Sequence, residues 1–382
     1  MPLLISILMK KKLSDHCLSE EFLIDKLFKK LNYNKLGTFN FENDGAYLNL
    51  SKKYQTVVTT DTITENVDFF SKDPPESIAQ KILCVNLSDL SAMGSLPKAY
   101  TLNISINSYI DFNWLKKFTN KLSRLQKKYN IYCLGGDFSK SKEISITSTF
   151  FGQAKSKNIL PQNKCQVDDD IWVTGNLGDS YIGYKLCKSF DNKIDKKNIL
   201  SFKKKYLYPT PCMFGYMAAK YINSAKDISD GFFGDLKKIL NKKYGAKINL
   251  KSIPLSNNLK KILLDSQSKI YLKDILCWGD DYELIFTSKK KYKGKLLSLA
   301  KKNNIKVILL YVPTIDIVNQ FEKYKFQETL EIFINFTKKY DNVDFVNFLE
   351  PFSHQHELFF DPIHLNPKGQ SVITDTLIKV LN

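Results

Sequence analysis

The nine residues from Asn86 to Gly94, NLSDLSAMG, constrain the fold of this chain more than any other stretch. They end an apolar run that begins after Pro74 and Pro75, and they read as a helix. Ser88, Ser91, Ala92 and Gly94 carry almost no side-chain bulk, so a second backbone or a ligand can approach this helix closely. Asp89 is carried on that element and held still by it. A single helical aspartate is ordinarily a solvated surface residue. Asp89 becomes a candidate metal ligand through the other acids of the chain.

The 382 residues suffice for two or three domains with a buried core. The formal net charge of +18 invites a nucleic-acid reading, but Arg124 is the only arginine and the lysines are spread along the whole chain. Phosphate and base-edge recognition leans on arginine forks. The charge therefore reads as a lysine-rich composition that helps to attract anionic substrates, with no nucleic acid as partner. Seven cysteines without a Cys-x-x-Cys pair argue against a disulfide framework or a zinc knuckle and fit a reducing, cytoplasmic setting. MPLLISILM is apolar but short, lacks a basic start and a cleavage site, and predicts neither a signal peptide nor a membrane span. Of the four histidines, only His16 precedes residue 354. An enzyme built from the first three hundred residues would rely on carboxylates and metal ions.

In chain order, EEFLIDKLFKKL from Glu20 has helical spacing, with Ser19 as a candidate cap. Asp44 lies in a turn, and TVVTTDTITENVDFF from Thr56 is a β-branched strand. AYTLNIS from Ala99 is a strand, Asn113 to Lys128 a lysine-rich helix, and IYCLGGD a buried strand stopping on Gly135, Gly136 and Asp137. EISITSTFFGQA is a further strand, and a domain boundary is expected near 155 to 165. KDISDGFFGDL places Asp227, Ser229 and Asp230 at a strand-to-helix turn suited to holding a metal against phosphate oxygens. GDDYELIF places Asp280, Asp281 and Glu283 at the head of another strand. No G-x-x-x-x-G-K-[ST] loop is present.

TTDTIT, NLSDLSAMG, LGGD, VTGNLGDS, PTP, DISDG and GDDYELIF stand in an order and spacing that resembles the thiamine-monophosphate kinase family, over about residues 19 to 304. Seven short motifs in order are far more specific than any one of them. The resemblance implies an α/β (α+β) protein with the two-domain aminoimidazole ribonucleotide synthetase-like fold. It implies an extension over 1–18, an ATP- and Mg²⁺-binding, homodimerising domain over 19–155, and a second kinase-family domain over 156–304. It implies transfer of the γ-phosphoryl group of ATP to thiamine monophosphate, with Mg²⁺ ions neutralising phosphate charge and orienting the reactants.

Carried over position by position, the resemblance assigns Asp44, Thr59, Thr60, Asp61, Asp89, Asp137, Asp227 and Asp230 to metal, with Asp137 and Asp230 catalytic. It assigns Gly136, Asp137 and Ser229 to ATP, and Asp68 and Asp280 to the thiamine end. The chain departs from the family pattern at several of its positions. Asp68 replaces a family histidine, Glu42 and Asn43 precede Asp44 where the family has Gly and Asp, and Lys140, Tyr208 and Cys212 replace arginines. Another family arginine aligns around Asn158. Lysine supplies charge without a bidentate fork.

From about residue 305 the pattern changes. FFDPIHLNPKGQSVITDTLIKVL resembles the last block of a GDSL/SGNH-type hydrolase, in which an aspartate orients a histidine that activates a serine. Asp361 and His364 match that pair, here read as vestigial, and 305–382 as a short C-terminal α/β fragment. Gly178, Asp179 and Ser180 spell GDS but belong to VTGNLGDS, which the kinase resemblance already accounts for. The ranked readings are a thiamine-monophosphate kinase, then an inactive fusion that binds nucleotide or thiamine phosphate, then an ester hydrolase.

Overall fold

Alternation of inward and outward residues organises β1 (Gln55–Thr64), in which Val57, Thr59, Asp61 and Ile63 turn inward while Val58, Thr60 and Thr62 are exposed. The computed structural model describes residues 20–310 apart from 42–45, 49, 189–195, 241–243, 247, 249, 265–267 and 269. β1 leads to helix α1 (Pro75–Ala92) and on to β2 (Leu96–Ile106), which is followed by α2 (Phe112–Tyr129), β3 (Tyr132–Lys140) and β4 (Ser145–Ala154). β4 pairs antiparallel with both β1 and β2, and β3 pairs parallel with β2, so the sheet order is β1-β4-β2-β3. The helices supply the long crossovers that the parallel relationships need.

One face of this sheet is apolar. Ile63, Tyr100, Leu102, Ile104, Ile146 and Phe150 pack with Ile82 and Leu87 of α1 and Phe118 and Leu122 of α2. The expected opening helix is realised as three short pieces, an α-turn at Glu20–Leu23, a π-turn at Ile24–Phe28 and a 3-10 turn at Lys29–Asn32. Its buried stripe of Leu23, Leu27 and Leu31 nevertheless joins the same core.

The second half begins with β5 (Asp169–Thr174), α3 (Asp179–Lys188), α4 (Lys196–Leu207) and α5 (Phe214–Ala218). β6 (Ser224–Asp227), α6 (Phe232–Leu240), α7 (Asn257–Leu264), α8 (Leu272–Leu276), β7 (Leu284–Lys289), α9 (Lys293–Lys302) and β8 (Val307–Leu309) complete it. Its antiparallel sheet has the order β6-β7-β5-β8, and Trp172 of β5 stacks on Phe286 of β7.

α1 lies between the two halves, with thirteen of its 18 residues buried. Its upstream apolar residues belong to the first core, whereas Ala92 packs with Trp172, Phe214 and Phe286 of the second. Small residues make that possible. A Cβ on Gly215 would fall 1.9 Å from the Ser91 carbonyl oxygen, and Ser91 Oγ donates to the Cys212 carbonyl at 2.5 Å. Gly94, at φ +68, takes the left-handed turn that ends the helix.

Candidate active site

The inward face of β1 and the last turns of α1 meet at a group of carboxylates. Thr59 Oγ1 donates to Asp89 Oδ2 at 2.6 Å, and the Asp61 carboxyl stands close enough to couple electrostatically to that of Asp89. One step along α1, Ser88 Oγ donates at 2.9 Å to Oδ2 of Asp227, which ends β6 and is 3% exposed. One residue pair thus ties acids from both halves of the chain to one helix. Asp61, Asp68, Asp89, Asp227, Asp230 and Asp280 line a cleft of about 240 Å³, together with Ser229, Lys81 and Tyr282.

Two carboxyls coupled in this way resist ionising together unless a cation neutralises them. Burial raises Asp89 to about 6; the Thr59 hydroxyl pulls it down and the Asp61 charge pushes it up. Burial also raises Asp61. It raises Asp227 to about 6, against the Lys226 ammonium 3.2 Å away. Burial alone would lower Lys226, but the Asp227 and Asp235 carboxylates carry it above the usual lysine range. Asp230 behaves oppositely, held below the usual range by a hydrogen bond from Lys238.

The turns that display these acids are fixed by their own hydrogen bonds. The fully buried Asp235 accepts from the backbone N–H groups of Ser229 and Asp230 at 3.1 and 3.0 Å, and Gly231 takes φ +108. Asp68 Oδ2 accepts from the Thr64 N–H at 2.7 Å and closes the turn after β1. Asp280 sits at φ +63, with Tyr282 Oη donating to Oδ1 at 2.7 Å and Lys81 Nζ donating to Oδ2 at 3.0 Å. Its neighbour Asp281 instead accepts from the Gly178 N–H and from Ser180 Oγ at the start of α3, so Ser180 of the GDS triplet is a buried partner of a carboxylate.

Not every expected residue joins this cleft. Thr60 points to the other face of the sheet and contacts Thr149 Oγ1 at 3.0 Å. Thr62, Thr147, Asn103 and Asp137 stand in one row across that face, three strands apart from end to end. At roughly 4.8 Å per strand, Asp137 is about 14 Å from β1. Gly136 and Asp137 line a separate, largely apolar pocket of about 360 Å³ with Leu23, Phe28, Phe41 and Phe138. Asp44, Asp361 and His364 lie outside the described residues, as do all the histidines.

Lys81, Lys226 and Tyr282, and the hydroxyl of Ser88, belong to the site although no motif assigns them a role. Lys81, Val85 and Asp89 recur at four-residue spacing and all line the cleft, which is the signal that could have found the lysine. Among the described residues no three His, Cys, Asp or Glu side chains already converge on one ion position. The donors stand in pairs, as suits Mg²⁺, which keeps several waters and takes one or two carboxylates plus substrate phosphate. The coupled Asp61 and Asp89 carboxyls are the pair that a cation would suit best.

The family model for the AIR synthase related protein, N-terminal domain, matches residues 42–154. The thiamine-monophosphate kinase of Buchnera aphidicola subsp. Acyrthosiphon pisum is 38% identical over 286 residues, spanning 73% of this chain and 86% of that protein. The crystal structure of thiamine-monophosphate kinase from Stenotrophomonas maltophilia K279a superposes with a TM-score of 0.67 at 30% identity, covering 75% of this chain and 92% of that one. AaThiL complexed with AMPPCP and TMP gives 0.61 at 26% identity, with 77% and 90% covered.

Proposed function

We propose that this chain, which belongs to the thiamine-monophosphate kinase family, transfers the γ-phosphoryl group of ATP to thiamine monophosphate, forming thiamine diphosphate. The observation that carries the reading is the pairing of Asp61 with Asp89 beside Asp227, three carboxylates raised by burial around one cleft. Phosphoryl transfer between two polyanions needs positioning and charge neutralisation more than a nucleophile. Phosphoryl transfer of this kind requires no histidine.

Asp61, Asp89 and Asp227 would hold Mg²⁺, with Thr59 orienting Asp89 and Ser88 orienting Asp227. Bound Mg²⁺ would neutralise phosphate oxygens and align the two reactants. Asp230 and Ser229 stand at the start of α6, where backbone N–H groups favour an anion. Asp68 and Asp280 also line the cleft and are read as its thiamine end.

Thr60, Gly136 and Asp137 are read as a second part of the site, completed by a second copy. The exposed sheet face that carries Thr60, Thr62, Thr147, Asn103 and Asp137 is polar and regular, and we read it as the surface through which two copies pair. A division into domains at 19–155 and 156–304 is supported by one sheet in each half, with β8 (Val307–Leu309) extending the second sheet past residue 304. No helix among the described residues is long and apolar enough to cross a membrane.

The test is product formation by the purified full-length chain from ATP, Mg²⁺ and thiamine monophosphate, with thiamine diphosphate resolved chromatographically. Wild type yields thiamine diphosphate and Asp89→Asn reduces the rate at least a hundredfold. Equal rates for the two proteins would refute the reading. Nucleotide binding without product would support the inactive-fusion reading instead.

A further inference from the structure

A lysine whose side chain is 5% exposed carries a large desolvation cost unless its donors are matched. Lys81 of α1 matches all three. Its ammonium donates to the Asp68 carbonyl at 2.5 Å and to Asp280 Oδ2 at 3.0 Å, and lies 4.5 Å from the centre of the Tyr206 ring. It therefore joins four segments: α1, the turn after β1, α4 and the turn before β7.

Asp280 is the residue on which this effort converges. A non-glycine residue at φ +63 is strained, and such strain persists where the surroundings over-determine it. Here both carboxylate oxygens are claimed, Oδ1 by Tyr282 Oη and Oδ2 by Lys81, while the Asp280 N–H donates to the Ser229 carbonyl at 3.1 Å. Tyr282 is itself only 5% exposed. A carboxylate needed only for solubility or turn formation requires no such clamp.

We propose that Lys81, assisted by Tyr282, is a positioning residue that aims the Asp280 carboxylate at the organic end of the phosphate-acceptor substrate and so sets its affinity. The inference rests on the kinase reading. α1 also carries Asp89, eight residues from Lys81. At 1.5 Å per residue the two stand about 12 Å apart along the axis. The helix is thus a ruler, with a phosphate-side acid near one end and the clamp for a recognition carboxylate two turns before it. An acceptor with two rings and a phosphate ester matches that span.

The decisive measurement is a split of Michaelis constants in Lys81→Met, Lys81→Arg and Tyr282→Phe, with calorimetric binding of thiamine monophosphate to each. Lys81→Met raises KM for thiamine monophosphate at least tenfold and weakens its binding equally, while KM for ATP stays within twofold. Lys81→Arg recovers part of the loss, and Tyr282→Phe shows the same selective change at about threefold. Parallel rises in both Michaelis constants would reduce Lys81 to a structural role and overturn the proposal. If Lys81→Met does not fold, Tyr282→Phe decides, and an unchanged thiamine-monophosphate constant there overturns it. A wild type that makes no thiamine diphosphate refutes the kinase reading; the calorimetry then judges the clamp, unchanged affinity in the variants or no binding by wild type overturning it.

Discussion

Metal-free protein should lose stability as pH rises from 4 to 7.5, and the size of that loss follows from the buried carboxylates. Asp89 and Asp227 each rise from 3.8 to about 6. A group whose folded value is raised contributes stability that is complete below the unfolded value and disappears as pH climbs through the folded one. At about 1.4 kcal/mol per pH unit each shift corresponds to roughly 3 kcal/mol. Because the Asp89 charge is itself one cause of the rise at Asp227, the two effects do not add fully, and roughly 3–5 kcal/mol is expected together.

The assay is thermal unfolding in EDTA at half-unit pH steps, for wild type, Asp89→Asn and Asp227→Asn. Each amide keeps the volume and an acceptor but cannot ionise. At pH 4.5 the variants should unfold within about 2 °C of wild type, and at pH 7.5 several degrees above it, given roughly 2 °C per kcal/mol for a large domain. Adding Mg²⁺ at a hundred times its dissociation constant should return about 2.7 kcal/mol to wild type at pH 7.5 and less to either variant. Three parallel pH curves would refute the placement of these charges.

Gly136→Ala should destabilise the first sheet by about 1–3 kcal/mol or more, because its Cβ would fall 1.8 Å from the Leu102 carbonyl oxygen, and thermal unfolding will show it. Ser180→Ala should cost about 1–3 kcal/mol by stripping a donor from buried Asp281, yet leave both Michaelis constants within twofold. A fluorophosphonate probe should leave Ser180 of the wild type unlabelled; labelling that is lost in Ser180→Ala would revive the hydrolase reading.

The helices and strands around the motifs were legible because their periodicities are strong. NLSDLSAMG ends a buried helix, its small residues receive Gly215, and IYCLGGD, EISITSTFFGQA and DISDG fall on strands and turns where expected. The acids of the motifs are legible as a set, but which face of the sheet each serves depends on the alternation of its strand. Thr59 and Thr60 are neighbours in the same motif and serve opposite faces of β1, as period two demands. Ordered motifs also say nothing about strand order, and β4 and β2 intervene between Asp61 and Asp137. Lys226 is not legible in the sequence because lysines are everywhere in this chain, and only burial distinguishes one that faces Asp227.

The hydrogen bond from Ser88 to Asp227 spans 139 positions of sequence. During synthesis at roughly 5–20 residues per second, α1 leaves the ribosome on the order of ten seconds before the strand that completes its acid cluster. For that interval a helix with thirteen of its 18 residues buried in the finished fold lacks the neighbours that the second half supplies. A site that uses Asp227 as well as Asp61 and Asp89 is therefore complete only once β6 has been made, and until then the nascent chain depends on the first sheet to shelter α1.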